Sequence, residues 1–139
     1  MLYYLSLGSN LGKREQTLHE ALERIAQQIG TVTRCSSFFY SEPWGFESAY
    51  PFCNLCCAVE TDLKPMEMLR ATQAIERALG RTHKSVNGQY ADRIIDIDII
   101  RVFDEAQKEI VSNEPLLTIP HPLWKEREFV VVPLKEIMP

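Results

Sequence analysis

The chain has 139 residues, 45% hydrophobic and 24% charged, enough for one ordinary domain with a core of its own. A net charge of −4 without a basic tail excludes a broad nucleic-acid surface, and no apolar run reaches membrane-spanning length. The N-terminus has no signal-peptide pattern, so the expected location is the cytoplasm.

Residues 2–8, LYYLSLG, predict a first strand. Over 14–29, Leu18, Leu22, Ile25, Ala26 and Ile29 recur at helical spacing, and Gly30 supplies a stop. Residues 31–41, rich in β-branched and aromatic side chains, predict a second strand. The stretch 42–52, EPWGFESAYPF, is a long loop with two prolines and a glycine. With its flanks it carries Tyr40, Trp44, Phe46, Tyr50 and Phe52, rings that either wrap a flat heterocycle or close the end of the core.

Residues 53–61 predict a third strand. Cys53 and Cys56 have zinc-like spacing, but no second pair or nearby histidine completes four ligands, so these cysteines and Cys57 read as small buried hydrophobes. Pro65 opens a helix with Met66, Leu69, Ala71, Ile75 and Leu79 on one face, closed by Gly80. A second long loop, 81–92 (RTHKSVNGQYAD), is cationic at its start. It leads into ADRIIDIDII (91–100), a strand in which Asp96 and Asp98 interrupt a run of isoleucines. A strand near 109–112 is expected to pair with 97–103 as a hairpin, 115–128 to be irregular or briefly helical, and FVVVPL (129–134) to form a final apolar segment.

The element order is β-α-β-β-α-β. It predicts a single α+β domain over 1–139, a ferredoxin-like sandwich with an added C-terminal hairpin/strand region.

Residues two apart on a strand share a face, roughly 7 Å apart, so Asp96 and Asp98 set two like charges side by side on an apolar background. Three explanations compete: an arginine-paired structural network, catalytic acids, or ligands for Mg²⁺, a hard ion that takes oxygen donors. Two ions could bridge such carboxylates and a polyphosphate. The stretch GSNLGK (8–13) is no P-loop: three residues separate its glycines where four are needed, and Arg14 stands where a Ser or Thr belongs. A polymerase-β-like nucleotidyltransferase is a weaker competitor, because its Gly-Ser and D-x-D features lie close together. His19 falls on a polar part of the first helix and reads as surface, while His121 is held between two prolines.

In combination, LGSNLG (7–12), SSFFYSEPWG (36–45), the Asn54 strand, the Glu76-to-Arg81 helix end, DRIIDIDI (92–99) and LTIPHPLWKEREFVVVPL (117–134) resemble the 6-hydroxymethyl-7,8-dihydropterin pyrophosphokinase family over nearly the whole chain. The resemblance implies a ferredoxin-like fold, a monomer, and transfer of pyrophosphate from ATP to the pterin's hydroxymethyl group in folate biosynthesis. It implies Asp96 and Asp98 as ligands of two Mg²⁺ ions, acting in catalysis with Arg81 and Arg93. It implies an ATP site of Gln73, Glu76, Arg81, His83, Tyr90, Arg93, Ile99, Thr118, His121 and Arg127. The pterin pocket would comprise Ser41, Glu42, Trp44, Phe52, Asn54 and Phe129, with Asn54 offering both donor and acceptor and the two phenylalanines sandwiching the ring. Three departures stand out: His83 in place of a second loop arginine, Tyr90-Ala91-Asp92-Arg93 in place of Trp-Gly-Pro-Arg, and Pro122 after His121. The competitor from another class is a binding module in which arginines neutralise the aspartates.

Overall fold

A computed structural model describes residues 1–42, 51–80 and 94–139. Its elements are β1 (Leu2–Ser9), α1 (Arg14–Gln28), β2 (Thr31–Cys35), β3 (Phe39–Ser41), β4 (Phe52–Glu60), α2 (Pro65–Ala78), β5 (Asp96–Phe103), β6 (Ser112–Glu114), β7 (Leu117–Ile119) and α3 (Glu128–Ile137), with a 3-10 turn at Trp124–Glu126. One antiparallel sheet runs β2-β4-β1-β5, and β3 also pairs with β4.

β1 and β4 are central and buried along almost their whole lengths, which is why both read as near-continuous apolar runs. One sheet face packs on α1 and α2, where Tyr3, Leu5, Leu7, Leu55, Cys57, Val59, Ile97 and Ile99 meet Leu18, Ile25, Met68 and Ile75. The helices present those residues at spacings of three, four and seven, the stripe that burial demands. Gly30 follows α1 because a β-carbon there would collide with the backbone oxygen of Glu60, whereas Gly80 follows α2 in the left-handed region, with φ of 100°.

The other face carries Tyr4, Cys56, Ala58 and Ile100 under Val130, Leu134 and Ile137. The final apolar segment FVVVPL lies within helix α3, so the C-terminal addition, expected as a hairpin/strand region, includes a helix. Its β-branched residues favour a strand locally, but Val130, Leu134 and Ile137 fall on one helical stripe, and burial against an uncovered sheet face outweighs propensity. The helix forms despite Pro133 in its interior.

Two further expectations change. The second strand is split into β2 and β3, with Ser36 at the break accepting from the Cys56 N–H through its hydroxyl and donating its own N–H to Cys56 O. The regular two-stranded hairpin is β6 with β7, and the expected pairing of 109–112 with β5 is reduced to an antiparallel Phe103–Glu109 bridge, the Ile110 N–H to Val102 O bond and the Arg101–Glu109 side-chain pair. Among the described residues, no helix is long and apolar enough to cross a membrane.

Candidate active site

The register of the sheet assembles the site. Gly8 of β1 pairs with Asn54 of β4 on one side and Asp96 of β5 on the other, and Ser6 pairs with Cys56 and Asp98. Paired residues share a face, so Asn54, Gly8 and Asp96 form one row, and Asp98 stands in the next, all on the α3 side. The isoleucines that alternate with the aspartates, Ile95, Ile97 and Ile99, are buried against α1 and α2. The strand is thus a mount, apolar on one face and carboxylate-bearing on the other.

Both aspartates keep contact with solvent. Asp98 has 31% of its side-chain surface exposed, yet its carboxyl pKa is pushed well above the usual carboxylate range, by burial first and then by Asp96; Arg127 opposes the rise. The Arg127 guanidinium stands 3.9 Å from Asp98 Oδ2, too far for a tight ion pair, and 5.7 Å over the Phe129 ring. Arg127 is 5% exposed and occupies the residue before α3, so the start of that helix is what delivers it. From below, the buried Glu76 of α2 accepts the Ile97 N–H through Oε2 at 2.8 Å, fixing the backbone between the two aspartates.

His121 lies at the rim. Its Nδ1 accepts the Leu123 N–H at 3.2 Å, and its own backbone N–H bonds to Ile100 O at 2.8 Å. Accepting at Nδ1 puts the ring proton on Nε2. Burial, reinforced by Arg127, lowers its pKa to about 4, so the imidazole is neutral at pH 7 and can act as a donor through Nε2–H.

At the other end of the row, Asn54 is 2% exposed and its amide nitrogen donates to Phe39 O at 3.0 Å and to Ser41 Oγ at 2.8 Å. In this structure both amide hydrogens are used, so Asn54 presents its Oδ1 as the open group. A β-carbon at Gly8 would sit 3.0 Å from Asn54 Oδ1 and 3.5 Å from the Phe52 ring. Gly8 is therefore a site residue that the sequence reading missed, although a glycine inside a strand of large residues is a signal of close approach. Phe52 and Asn54 share a face of β4, and Phe129 packs at the edge of the cluster beneath α3.

The remaining expected residues fall into three groups. Gln73 on α2 is half-buried, and Thr118 on β7 and Glu42 after β3 are exposed. Ile99 has its side chain in the core on the opposite face from the aspartates, so only its backbone, next to Asp98, adjoins the site. Trp44, Arg81, His83, Tyr90 and Arg93, with the ring-bearing Phe46 and Tyr50, lie outside the described residues. Tyr40 shares its face with Cys53, away from Asn54, and does not join the pocket rings. Cys53 and Cys56, three apart, point to opposite faces and cannot share an ion.

The donor set suits a hard cation. Asp96 and Asp98 supply adjacent carboxylates whose mutual repulsion a divalent ion would relieve. Among the described residues no cluster of three or more His, Cys, Asp or Glu forms, so further ligands would have to be substrate oxygens or water, as Mg²⁺ prefers.

This arrangement has known counterparts. The sequence profile of the 7,8-dihydro-6-hydroxymethylpterin-pyrophosphokinase family, HPPK, matches residues 4–139. The chain belongs to the HPPK family. The 2-amino-4-hydroxy-6-hydroxymethyldihydropteridine pyrophosphokinase of Porphyromonas gingivalis is 47% identical over 140 residues, covering 99% of this chain and 91% of that protein. Its namesake from Bacillus subtilis is 39% identical over 135 residues, 96% of this chain and 76% of the relative. A folic acid synthesis protein of Dictyostelium discoideum is 37% identical over 139 residues, which are only 20% of its length. Among solved structures, an HPPK-DHPS in complex with substrates superposes with a TM-score of 0.71 at 17% identity, over 99% of this chain and 40% of that one. At that identity the likeness speaks for the HPPK fold alone.

Proposed function

We propose that the row Asn54–Gly8–Asp96 is the axis along which this HPPK aligns its substrates. The chain transfers the pyrophosphoryl unit of ATP to the hydroxymethyl group of 6-hydroxymethyl-7,8-dihydropterin in folate biosynthesis, leaving AMP and the pterin diphosphate. The observation that carries the assignment of parts is the register: Asn54 and Asp96 lie two strand spacings apart, about 10 Å, the reach of a fused bicyclic ring with a one-carbon arm.

At the pterin end, Asn54 Oδ1 accepts from a ring N–H, and Ser41 holds Asn54 in that orientation. Phe52 and Phe129 stack on the heterocycle, with Glu42 and Trp44 completing the pocket. At the other end, Asp96 and Asp98 hold Mg²⁺, two ions in our reading. When bound, the metal neutralises polyphosphate charge and lowers the pKa of a coordinated hydroxyl. The neutral His121 donates Nε2–H to a phosphate oxygen, and Arg127 adds positive charge between Phe129 and Asp98. Gln73 and Thr118 flank the nucleoside, and Arg81, His83, Tyr90 and Arg93 complete the ATP site in our reading. Glu76, in the ATP site of our reading, also fixes β5 through Ile97. Phosphoryl-type transfer needs alignment and charge stabilisation more than a dedicated base, and this set supplies both.

The strand order β2-β4-β1-β5, with helices after β1 and β4, supports a ferredoxin-like core to which β6, β7 and α3 are added. We further propose that the chain is a single domain and acts as a monomer in the cytoplasm. The deciding experiment incubates the protein with ATP, Mg²⁺ and the hydroxymethyl-dihydropterin and identifies products. AMP with pterin diphosphate is expected; no turnover by folded protein overturns the reading, and release of inorganic pyrophosphate would assign a nucleotidyltransferase instead.

A further inference from the structure

The first turn of α1 reaches around the sheet edge to the hairpin that bears the pterin end of the site. Arg14 Nη1 donates to Pro51 O at 2.8 Å, and its guanidinium lies 5.4 Å from the centroid of the Tyr40 ring. The Tyr40 hydroxyl donates to Glu15 Oε1 at 3.0 Å, and Glu15 is 3.6 Å from Arg14 Nη2. Tyr40 immediately precedes Ser41 and Pro51 immediately precedes Phe52, and Ser41 and Phe52 are paired across β3 and β4. One arginine therefore grips both strands beside a single rung, and that rung carries two residues of the pterin pocket.

Burial does not explain Tyr40. Its side chain points away from the pocket and is 54% exposed, an unusual setting for a large ring at the end of a strand. Its ring lies under Arg14 and meets the Phe38 ring edge-on at 6.5 Å, and its hydroxyl is held by Glu15, so its contacts tie β3 to α1. From the rung the constraint passes inward through Ser41 Oγ, which accepts from the Asn54 amide.

We infer that Arg14, Glu15 and Tyr40 form a positioning clamp that presets the Ser41–Phe52 rung, and through it Asn54, for the pterin. The inference rests on the pterin assignment above. Exposed contacts of this kind add little to global stability, because water competes for each of them. Their effect is local: without the clamp the rung samples other positions, and the pterin must restore the right one on binding.

The test compares wild type with Arg14→Ala, Arg14→Lys, Tyr40→Phe and Tyr40→Ala, by steady-state kinetics, fluorescence titration of the pterin, and hydrogen exchange over 39–42 and 51–54. Arg14→Ala is expected to raise the pterin KM and Kd about fivefold while ATP KM and kcat stay within about twofold. Tyr40→Ala should match it, and the double Ala variant should be no worse than either, as members of one unit are non-additive. Arg14→Lys and Tyr40→Phe, each keeping one contact, should fall between. Exchange at 52–54 should quicken in both Ala variants. An unchanged pterin Kd in Arg14→Ala overturns the clamp, as does a parallel rise in pterin and ATP constants with a fall in Tm. If wild type fails to turn over, the pterin assignment falls, and the exchange data alone decide whether Arg14 constrains the rung.

Discussion

At Gly8 one missing methyl group decides what the sheet can hold. The glycine is not in the left-handed region, so its value is space: a β-carbon there would press on Asn54 Oδ1 at 3.0 Å and touch the Phe52 ring at 3.5 Å. Asn54 cannot readily withdraw, since its amide is tied to Phe39 O and Ser41 Oγ. Gly8→Ala should therefore weaken pterin binding about tenfold while leaving ATP affinity nearly unchanged, measured as separate Kd values. Asp98 gives a second prediction at this scale. A carboxyl whose pKa is raised in the folded state holds its proton more tightly there than in the unfolded chain, so stability falls as pH rises above the unfolded value of about 4. Asp98→Asn should remove that loss, raising the Tm of the ligand-free protein at pH 7 by about 3 °C and flattening its decline above pH 4, while transfer drops by at least about 100-fold. An active Asp98→Asn enzyme would refute the metal assignment.

Among the elements, α3 has the most consequences. It covers the second sheet face and places both Arg127 and Phe129, so its packing is coupled to the site. Leu134, 2% exposed, sits at the centre of that contact, and Leu134→Ala should cost about 2–5 kcal/mol in urea unfolding. The Arg101–Glu109 pair ties β5 to the segment that follows it, with two contacts of 2.8 Å, and Arg101 also stacks on Phe103 and Trp124. The Arg101 hydrogen bond is the largest cause holding the Glu109 carboxyl below the usual range, so its stabilisation is complete above the unfolded pKa and is lost as pH falls through the lower folded one. Glu109→Gln should accordingly flatten the acid limb of the Tm profile below about pH 5, and a Tm profile parallel to wild type there would count against the pair.

These elements also show what a sequence can disclose. The alternation of Ile95, Ile97 and Ile99 with Asp96 and Asp98 was legible because it records which face is buried, and helices α1 and α2 were legible because their stripes match the helical period. The α3 segment was not: Val130, Val131 and Val132 favour a strand locally, and only the uncovered face formed by Tyr4, Cys56, Ala58 and Ile100 selects the helix. The hairpin partner of β6 was hidden for a related reason, since short strands take their register from turns. Within the site, the identities of Asn54, Asp96 and Asp98 could be read from motifs, but the use of the Asn54 nitrogen by Phe39 and Ser41 depends on a pairing that no local pattern specifies.

For the whole molecule, binding and folding should be linked through the aspartate pair. Nucleotide at about 100 times its Kd should raise Tm by roughly 8 °C in the presence of Mg²⁺. The rise should vanish with EDTA or in Asp96→Ala, followed by thermal unfolding; equal stabilisation without the metal would sink the proposed role of the pair.

β1 contributes no proposed catalytic group, yet it determines what the two ends of the site can share. Because hydrogen-bonded strands hold a spacing of about 4.8 Å, the sheet is a ruler with fixed ticks, and β1 is the tick between pterin and metal. Such a gauge cannot be stretched gradually: a one-residue slip of β1 would turn Gly8 and Ser6 to the wrong face, and inserting a strand would add a whole interval. Surface loops can vary in length without disturbing it. The size of the substrate that fits between Asn54 and Asp96 is thus written in the backbone, where side-chain substitution cannot readily edit it.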